Sequence, residues 1–445
     1  MRWPDVVTRS RGRHSDGAEQ TARWRQRHHF EIAVSAAVLF GGYLATWIGY
    51  YVATPGQFFP GGNVADRYLN WDASDYLSIA QYGYGHGPIA KITYTWFPFM
   101  PLVDRVIHAV VGVWPPQVRT SAGWTTFSDT AHQWSLSLYV VGPLAAGVAS
   151  IWVFHRVSVS VWGDTTSAKV ATAAYAAYPG SSFFFSGLPV GFTQLLVVLA
   201  LREVLSRRYW WAAAAVGVAT SIGPLNSLAV IPVLGLFLID HWRQRRDGAG
   251  APRRVTALRA VGLLVVGESG LIAYVLFLWI RFGRPLAFVS AEQYFGGHGL
   301  RERLAGLFTL RDFNPHFIHL VLQSLYFDFP ASVFPDLYLP INELSIVVLV
   351  ALSLLVLRFP PTLARAERVV LCAYSLAAVA GFVWFIASQV GVASGPRIMY
   401  IAAPAFLSLG GLWRSHRYTA VVLIAVLAAA SCAQVTLLVA GYFMP

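Results

Sequence analysis

Long apolar runs alternate with short polar stretches along this chain, and most of the runs approach the length that crosses a bilayer. The first begins near Ile32 and ends near Val52. Others follow at roughly 134 to 155, 167 to 187, 189 to 204, 209 to 222, 225 to 240, 257 to 280, 343 to 357, 369 to 388, 397 to 413 and 418 to 442. A helix rises ~1.5 Å per residue, so about 20 apolar residues match the hydrocarbon thickness. The pattern predicts an all-α polytopic membrane protein with about eleven spanning helices. Two more stretches, Phe97 to Val113 and Phe317 to Phe327, are apolar but sit inside long polar connections. They read as interfacial or re-entrant segments.

Basic residues orient the chain. Residues 1 to 29 carry seven arginines, no apolar stretch and no clear cleavage site, so residues 1–30 read as a cytoplasmic Arg-rich tail. With that end inside, the inner connections hold Arg202, Arg207 and Arg208; Arg243, Arg245, Arg246, Arg253 and Arg254; Arg358, Arg365 and Arg368; and Arg414 and Arg417. The alternation stays in register and puts the C-terminus outside. Residues 31–445 then form a single integral membrane domain with two long outer loops, 53–133 and 281–342. Loops of that length without a domain of their own are usually functional. Eleven of the 21 acidic residues lie in or at the end of them.

Composition agrees. The chain is 56% hydrophobic and 12% charged, about half the charge of an ordinary soluble domain, which excludes a water-soluble fold. Its net charge of +12 is scattered between apolar runs rather than gathered on a face, which argues against nucleic acid as a partner. Nearly all basic residues are arginine, with Lys91 and Lys169 the lysines. That bias suits a GC-rich bacterial genome and hence a bacterial plasma membrane. Cys372 and Cys432 fall in apolar segments and suggest neither a disulfide framework nor a thiol site. No His, Asp and Glu cluster has metal spacing, so no metal or other cofactor is expected.

The first outer loop carries the candidate chemistry. Residues 70 to 84 read as a short helix closed by Gly83, with Asp72, Asp75, Tyr76 and Ile79 on one face and Trp71 anchoring its start at headgroup depth. Two readings stand side by side. Asp72 is an N-cap with Asp75 as its N3 partner, or one of the two carboxylates is a general base beside the membrane. Further on, Thr95 to Leu102 is too rich in aromatics and proline for a regular helix start. It reads as a rigid extended strip at the interface, either an anchor or a wall for lipid or acceptor.

These residues also carry a resemblance. Trp71-Asp72 followed by Tyr76, Ile79-Ala80 and Gly83-Tyr84, then Phe97-Pro98-Phe99-Met100-Pro101, resembles the family of the transferase that adds the second mannose of the GPI anchor, with its bacterial relatives. Three later stretches agree in the family's order: Tyr178 to Ser186, Phe282 to Val289, and Ser394 to Tyr400. The chain departs from the family's pattern at Asn70, at Pro189 and Gly191, and at Gly223-Pro224. There the family commonly has an Arg, then a Tyr and an acidic residue, and an Arg-Pro pair.

The resemblance implies a multipass, inverting GT-C glycosyltransferase that uses a polyprenyl-phosphate sugar, mannose first, as donor and a glycolipid or envelope glycan as acceptor. It points to Asp72 as the base with Asp75 in reserve, and to Trp71 and Tyr76 as substrate contacts. Arg397 is the first candidate for the leaving phosphate, with Arg105 and Arg284 behind it. For each arginine a headgroup contact or an ion pair with a loop carboxylate is the plainer role. Phe183, Phe184 and Phe185 line a prenyl tail or belong to the core. Two other classes stay open. A transporter would use Glu268, the one acid deep in a span, and a non-catalytic partner in envelope assembly would fit the missing polar residues.

Overall fold

The computed structural model describes residues 16–53, 68–69, 72–87, 90, 92–112, 114, 117–119, 125–127, 133–248, 251–291, 333–383 and 395–440. Trp71, Asn70, the segment Phe317 to Phe327 and most of the second long loop lie outside the described residues. In chain order the helices are α1 (Asp16–Ala53), α2 (Asp72–Tyr82), α3 (Phe99–Val111), α4 (Gln133–Trp162), α5 (Thr165–Ala177), α6 (Val190–Leu205), α7 (Tyr209–Thr220), α8 (Val230–Arg246), α9 (Arg253–Gly267) and α10 (Ser269–Phe282). After them come α11 (Ala287–Ala291), α12 (Val333–Leu355), α13 (Arg365–Phe382), α14 (Gly395–Met399), α15 (Leu409–Ser415) and α16 (Arg417–Ala440).

Among the described residues, four helices are long and apolar enough to cross a membrane: His28–Tyr50, Leu138–Trp162, Pro224–Arg246 and Arg417–Val439. The pair α9 and α10 adds a fifth if read as one broken span. The chain is an integral membrane protein with several spans.

Two sequence expectations change. The run 257 to 280 is one apolar stretch but two helices, bent by 62° at Glu268. Close packing explains the break: a Cβ on Gly267 would stand 2.8 Å from Val230, and one on Gly270 2.5 Å from the Ser221 amide nitrogen. The run 397 to 413 is likewise divided, into α14, a 3-10 turn Ala403–Ser408 that begins beside Pro404, and α15. The all-α class stands, with one small addition. A two-stranded antiparallel ribbon, β1 (Gln117–Arg119) and β2 (Thr125–Phe127), closes the far part of the first long loop, with Val118 opposite Thr126.

Aromatic rings fill the centre. Tyr175, Tyr178, Phe183, Phe184, Tyr400 and Phe406 are all fully buried, and the Tyr400 ring lies 4.8 Å from Tyr175, 5.1 Å from Tyr178 and 5.9 Å from Phe184. The Tyr400 hydroxyl donates to the Tyr175 carbonyl at 2.5 Å, and the Tyr374 hydroxyl to the Ile401 carbonyl at 2.7 Å. Burying these hydroxyls without partners would cost about 1–3 kcal/mol each, so the two backbone acceptors also fix where α14 must sit.

At the Arg-rich end of the bundle, Glu367 gathers three connections. Its carboxylate accepts from Arg207 at 2.5 Å, from Arg243 at 3.0 Å and from the Ala364 amide at 3.0 Å. Arg207 itself turns the chain between α6 and α7 with φ of 62°. Burial by itself raises the Glu367 carboxyl, but the Arg207, Ala364 and Arg243 bonds outweigh it and hold the group below the usual carboxylate range.

Candidate functional site

The short helix expected within residues 70 to 84 is present as α2, Asp72–Tyr82. It ends where Gly83 takes φ of +85° and donates its amide to the Ile79 carbonyl at 2.8 Å. Asp72 is its first residue, and Asp75 lies one turn on. The Asp72 carboxylate does not spend itself on its own turn: Oδ2 accepts a hydrogen bond from Arg397 Nη2 at 2.7 Å. Among the described residues Oδ1 has no hydrogen bond. Both side chains are largely covered, Asp72 at 21% exposure and Arg397 at 15%. A charge pair in such a place is worth more than one in open water.

Around this pair stand the other predicted residues. Asp75 is half-buried, and Tyr76 is buried one turn after Asp72. Burial first, and then the Asp72 charge, raise the Tyr76 hydroxyl far above the ordinary phenol range, so it stays protonated as a donor. The Phe183 ring lies 6.0 Å from the Arg397 guanidinium.

Arg105 and Arg284 are elsewhere. Arg105 Nε donates to the Ala80 carbonyl at 2.8 Å, where a cation meets the C-terminal end of α2. Arg284 is exposed in the turn after α10. Phe183 and Phe184 are core, at 0% exposure each, while Phe185, at 8%, lines a small apolar pocket with Val38 and Val435.

The aromatic strip is also corrected. Thr93–Thr95 is a single 3-10 turn, and Phe99 already begins α3. Pro98 precedes the helix and Pro101 occupies its first turn, where no amide is needed for a helical bond; the Phe99 amide instead donates to the Ser221 carbonyl at 3.2 Å. Tyr84 and Tyr274 pin the strip from two sides, donating to the Trp96 carbonyl at 2.9 Å and the Tyr94 carbonyl at 2.8 Å.

Between α3 and α10 lies a cavity of about 680 Å³. Its α3 wall is Pro101, Leu102 and Arg105, and its α10 wall is Ala273, Tyr274, Phe277 and Arg281; Ile79, Tyr82 and Tyr84 reach it from the end of α2. The walls are apolar and the cations stand on one helix turn each. Arg281 is exposed and has no hydrogen bond or ion pair among the described residues. Asp72 does not line this cavity. Arg281 was legible in principle, as a cation ending an apolar run, but nothing local to it indicates that α3 lies opposite.

Two acids lie apart from the pair. Asp104 on α3 is 2% exposed, and burial raises its carboxyl well above the usual range. Its place as an acid inside an otherwise apolar stretch was visible in the sequence. Glu268 accepts from the Ser227 hydroxyl at 2.6 Å at the α9–α10 break.

Fold and site together define an integral membrane protein with a carboxylate–arginine site at the start of a short helix beside its spans. No family model and no curated protein matches the chain. Among solved structures it is similar to the crystal structure of ArnT from Cupriavidus metallidurans bound to undecaprenyl phosphate, at 16% sequence identity and a TM-score of 0.45. That match covers 90% of this chain and 64% of the other, so this chain spans less than two thirds of that protein's length.

Proposed function

We propose that this protein is a membrane glycosyltransferase that moves a sugar, mannose in the first instance, from a polyprenyl-phosphate donor to a glycolipid or envelope-glycan acceptor. The reading includes eleven crossings, a cytoplasmic N-terminal tail, and a site on the outer face of a bacterial plasma membrane. The observation that carries it is the bond between Asp72 and Arg397, because these two residues were singled out separately as base and as phosphate partner, and they meet at 2.7 Å.

The acceptor hydroxyl gives its proton to Asp72 Oδ1 while its oxygen bonds to the anomeric carbon. The bond from that carbon to the phosphate oxygen breaks, and the electron pair leaves with the polyprenyl phosphate. Arg397 offers Nη2 to Asp72 and so aims the carboxylate, and its guanidinium charge favours the departing phosphate. Tyr76 donates to the sugar from the same face of α2. The donor's apolar chain takes the α3–α10 groove, whose walls Leu102, Ala273 and Phe277 suit a prenyl tail. Trp71 and Asp75 complete the substrate contacts of this reading, and Arg284, exposed in the turn after α10, takes no part in it.

A second reading has one observation in its favour. At Gly191, where the family commonly holds a polar side chain, a Cβ would run into the Pro143 carbonyl and stand 2.9 Å from the Gly147 amide. The α4–α6 packing leaves no room for a side chain there, which fits a non-catalytic relative in an envelope-assembly complex. Purified protein incubated with polyprenyl-phosphate mannose and a membrane lipid extract, followed by mass analysis, decides between the two. A mannosylated product formed by wild type and lost in Asp72→Asn supports the transferase; no product from wild type supports the non-catalytic relative.

A further inference from the structure

The two partners of the charge pair come from α2 and α14, 325 positions apart, and neither helix is long enough to hold its own place. One ten-residue segment, Tyr178 to Gly187, touches both. Its middle is the 3-10 helix Pro179–Phe185, buried throughout. The Ser182 hydroxyl donates to the Pro179 carbonyl and the Ser186 hydroxyl to the Phe183 carbonyl, both at 2.7 Å, so the segment is stiffened by its own side chains.

At the first end, a Cβ on Gly180 would stand 2.6 Å from the carbonyl oxygen of Pro396, the residue just before Arg397, and 2.9 Å from the Tyr400 ring. At the other end, the Gly187 amide donates to the Tyr68 carbonyl at 2.9 Å. A Cβ there would stand 2.5 Å from Leu69 Cδ2 and 3.1 Å from Cβ of Ala73, the residue just after Asp72. Between the two ends, the Phe183 ring faces the Arg397 guanidinium at 6.0 Å.

We infer that Tyr178–Gly187 is a bracket that sets the Asp72–Arg397 geometry, with Gly180 and Gly187 as positioning residues whose missing side chains allow the two backbones to come close enough for the bond. The catalytic consequence rests on the transferase reading above; the geometric one does not. The two glycines differ in a way the physics dictates. At Gly180 the obstacle is a backbone carbonyl, which cannot rotate aside. Restoring an ordinary contact there needs a shift of roughly 0.5–0.8 Å, and a bond that starts at 2.7 Å would then fall at or beyond the ~3.2 Å limit of a good hydrogen bond. At Gly187 the nearer obstacle is the end of a leucine side chain, which can turn away, leaving a few tenths of an ångström to be taken up at Ala73. Gly180→Ala should therefore loosen the pair more than Gly187→Ala.

The test reads the pair itself. Full-length protein in detergent is made as wild type, Asp72→Asn, Arg397→Gln and the double variant, and the non-additive part of their Tm shifts gives the coupling between the two side chains. The same four proteins are then made with Gly180→Ala added, and again with Gly187→Ala. Gly235→Ala, whose Cβ would stand 2.8 Å from Val370 on the α8–α13 contact, serves as the control for a tight glycine elsewhere. The expected result is a coupling shift reduced at least threefold by Gly180→Ala, less by Gly187→Ala, and unchanged by Gly235→Ala. Coupling that survives Gly180→Ala undiminished overturns the bracket.

A second arm measures mannose transfer. Gly180→Ala should lower kcat about tenfold with donor KM within threefold, and should lower it less than twofold when Arg397 is already glutamine. If Asp72→Asn and Arg397→Gln leave transfer intact while the Tm coupling behaves as expected, the transferase reading fails and the bracket stands.

Discussion

Arg397 reaches back across 325 positions to hold Oδ2 of Asp72 at 2.7 Å, and Oδ1 has no hydrogen bond among the described residues. A carboxylate held on one oxygen and open on the other is oriented without being consumed. The plain expectation for Arg397, an ion pair with a loop carboxylate, is met at Asp72, whose carboxylate takes this bond and not one to its own turn. Asp72 lies within α2 as its first residue, and its charge is met by a cation from the far end of the chain.

Asp72→Asn should lower sugar transfer by about 10²- to 10⁴-fold, the usual contribution of a general base, with expression and folding preserved. Transfer from polyprenyl-phosphate mannose, scored by mass, checks this. Unchanged transfer would remove Asp72 from the reaction.

Arg397→Lys keeps the charge but loses the planar fork, so it cannot hold Asp72 and a phosphate together. Transfer should fall at least tenfold in Arg397→Lys and further in Arg397→Gln. Lysine restoring full rate would assign Arg397 a purely coulombic role.

Ala273 faces the α3–α10 groove. Ala273→Phe fills part of that space and should raise the donor KM about tenfold, ~1.4 kcal/mol of lost binding, while Tm stays near wild type because the side chain enters open space. Donor titration of the two proteins decides. An unaltered KM would place the lipid chain elsewhere.

Asp104 gives a pH signature. Its carboxyl is raised in the folded state, so its stabilising protonated form is fully present below the unfolded value, and that contribution is lost as pH rises through the folded value. Wild type and Asp104→Asn should match near pH 4. Above it wild type should lose about 1.4 kcal/mol per pH unit relative to the variant, until the folded group ionises. Parallel Tm curves across pH 4 to 8 would contradict this.

Glu367 has the opposite sign. Its folded carboxyl is lowered, so the stability it contributes is present above the unfolded value and lost as pH falls through the folded one. Glu367→Gln should cost about 1–2 kcal/mol at pH 7, a modest figure because Arg207 and Arg243 are more than a third exposed. The difference from wild type should shrink below about pH 4. A variant as stable as wild type at pH 7 would make the cluster a surface decoration.

The membrane class and the helix over residues 72 to 82 were legible because both depend on local pattern: apolar run length for the first, and an i, i+3, i+4 face closed by glycine for the second. Where the pattern misled, a neighbouring helix was responsible. The run 257 to 280 is uniformly apolar, yet it breaks at Glu268 because Gly267 and Gly270 press against Val230 and Ser221. The strip before Leu102 read as extended on its aromatics and prolines, but its prolines fall where a helix has amides to spare, and Ser221 caps the Phe99 amide from another helix.

By itself the sequence determined that the chain lives in a membrane, and it marked Asp72 and Arg397 as residues of interest. Only the tertiary structure decided that those two side chains are partners, that Phe183 and Phe184 are core, and that an apolar groove opens between α3 and α10. The reason is the range of the forces involved. Burial preference and helical periodicity act over a few residues and are written locally, whereas a hydrogen bond demands its two atoms within about 3 Å and depends on every helix packed between them.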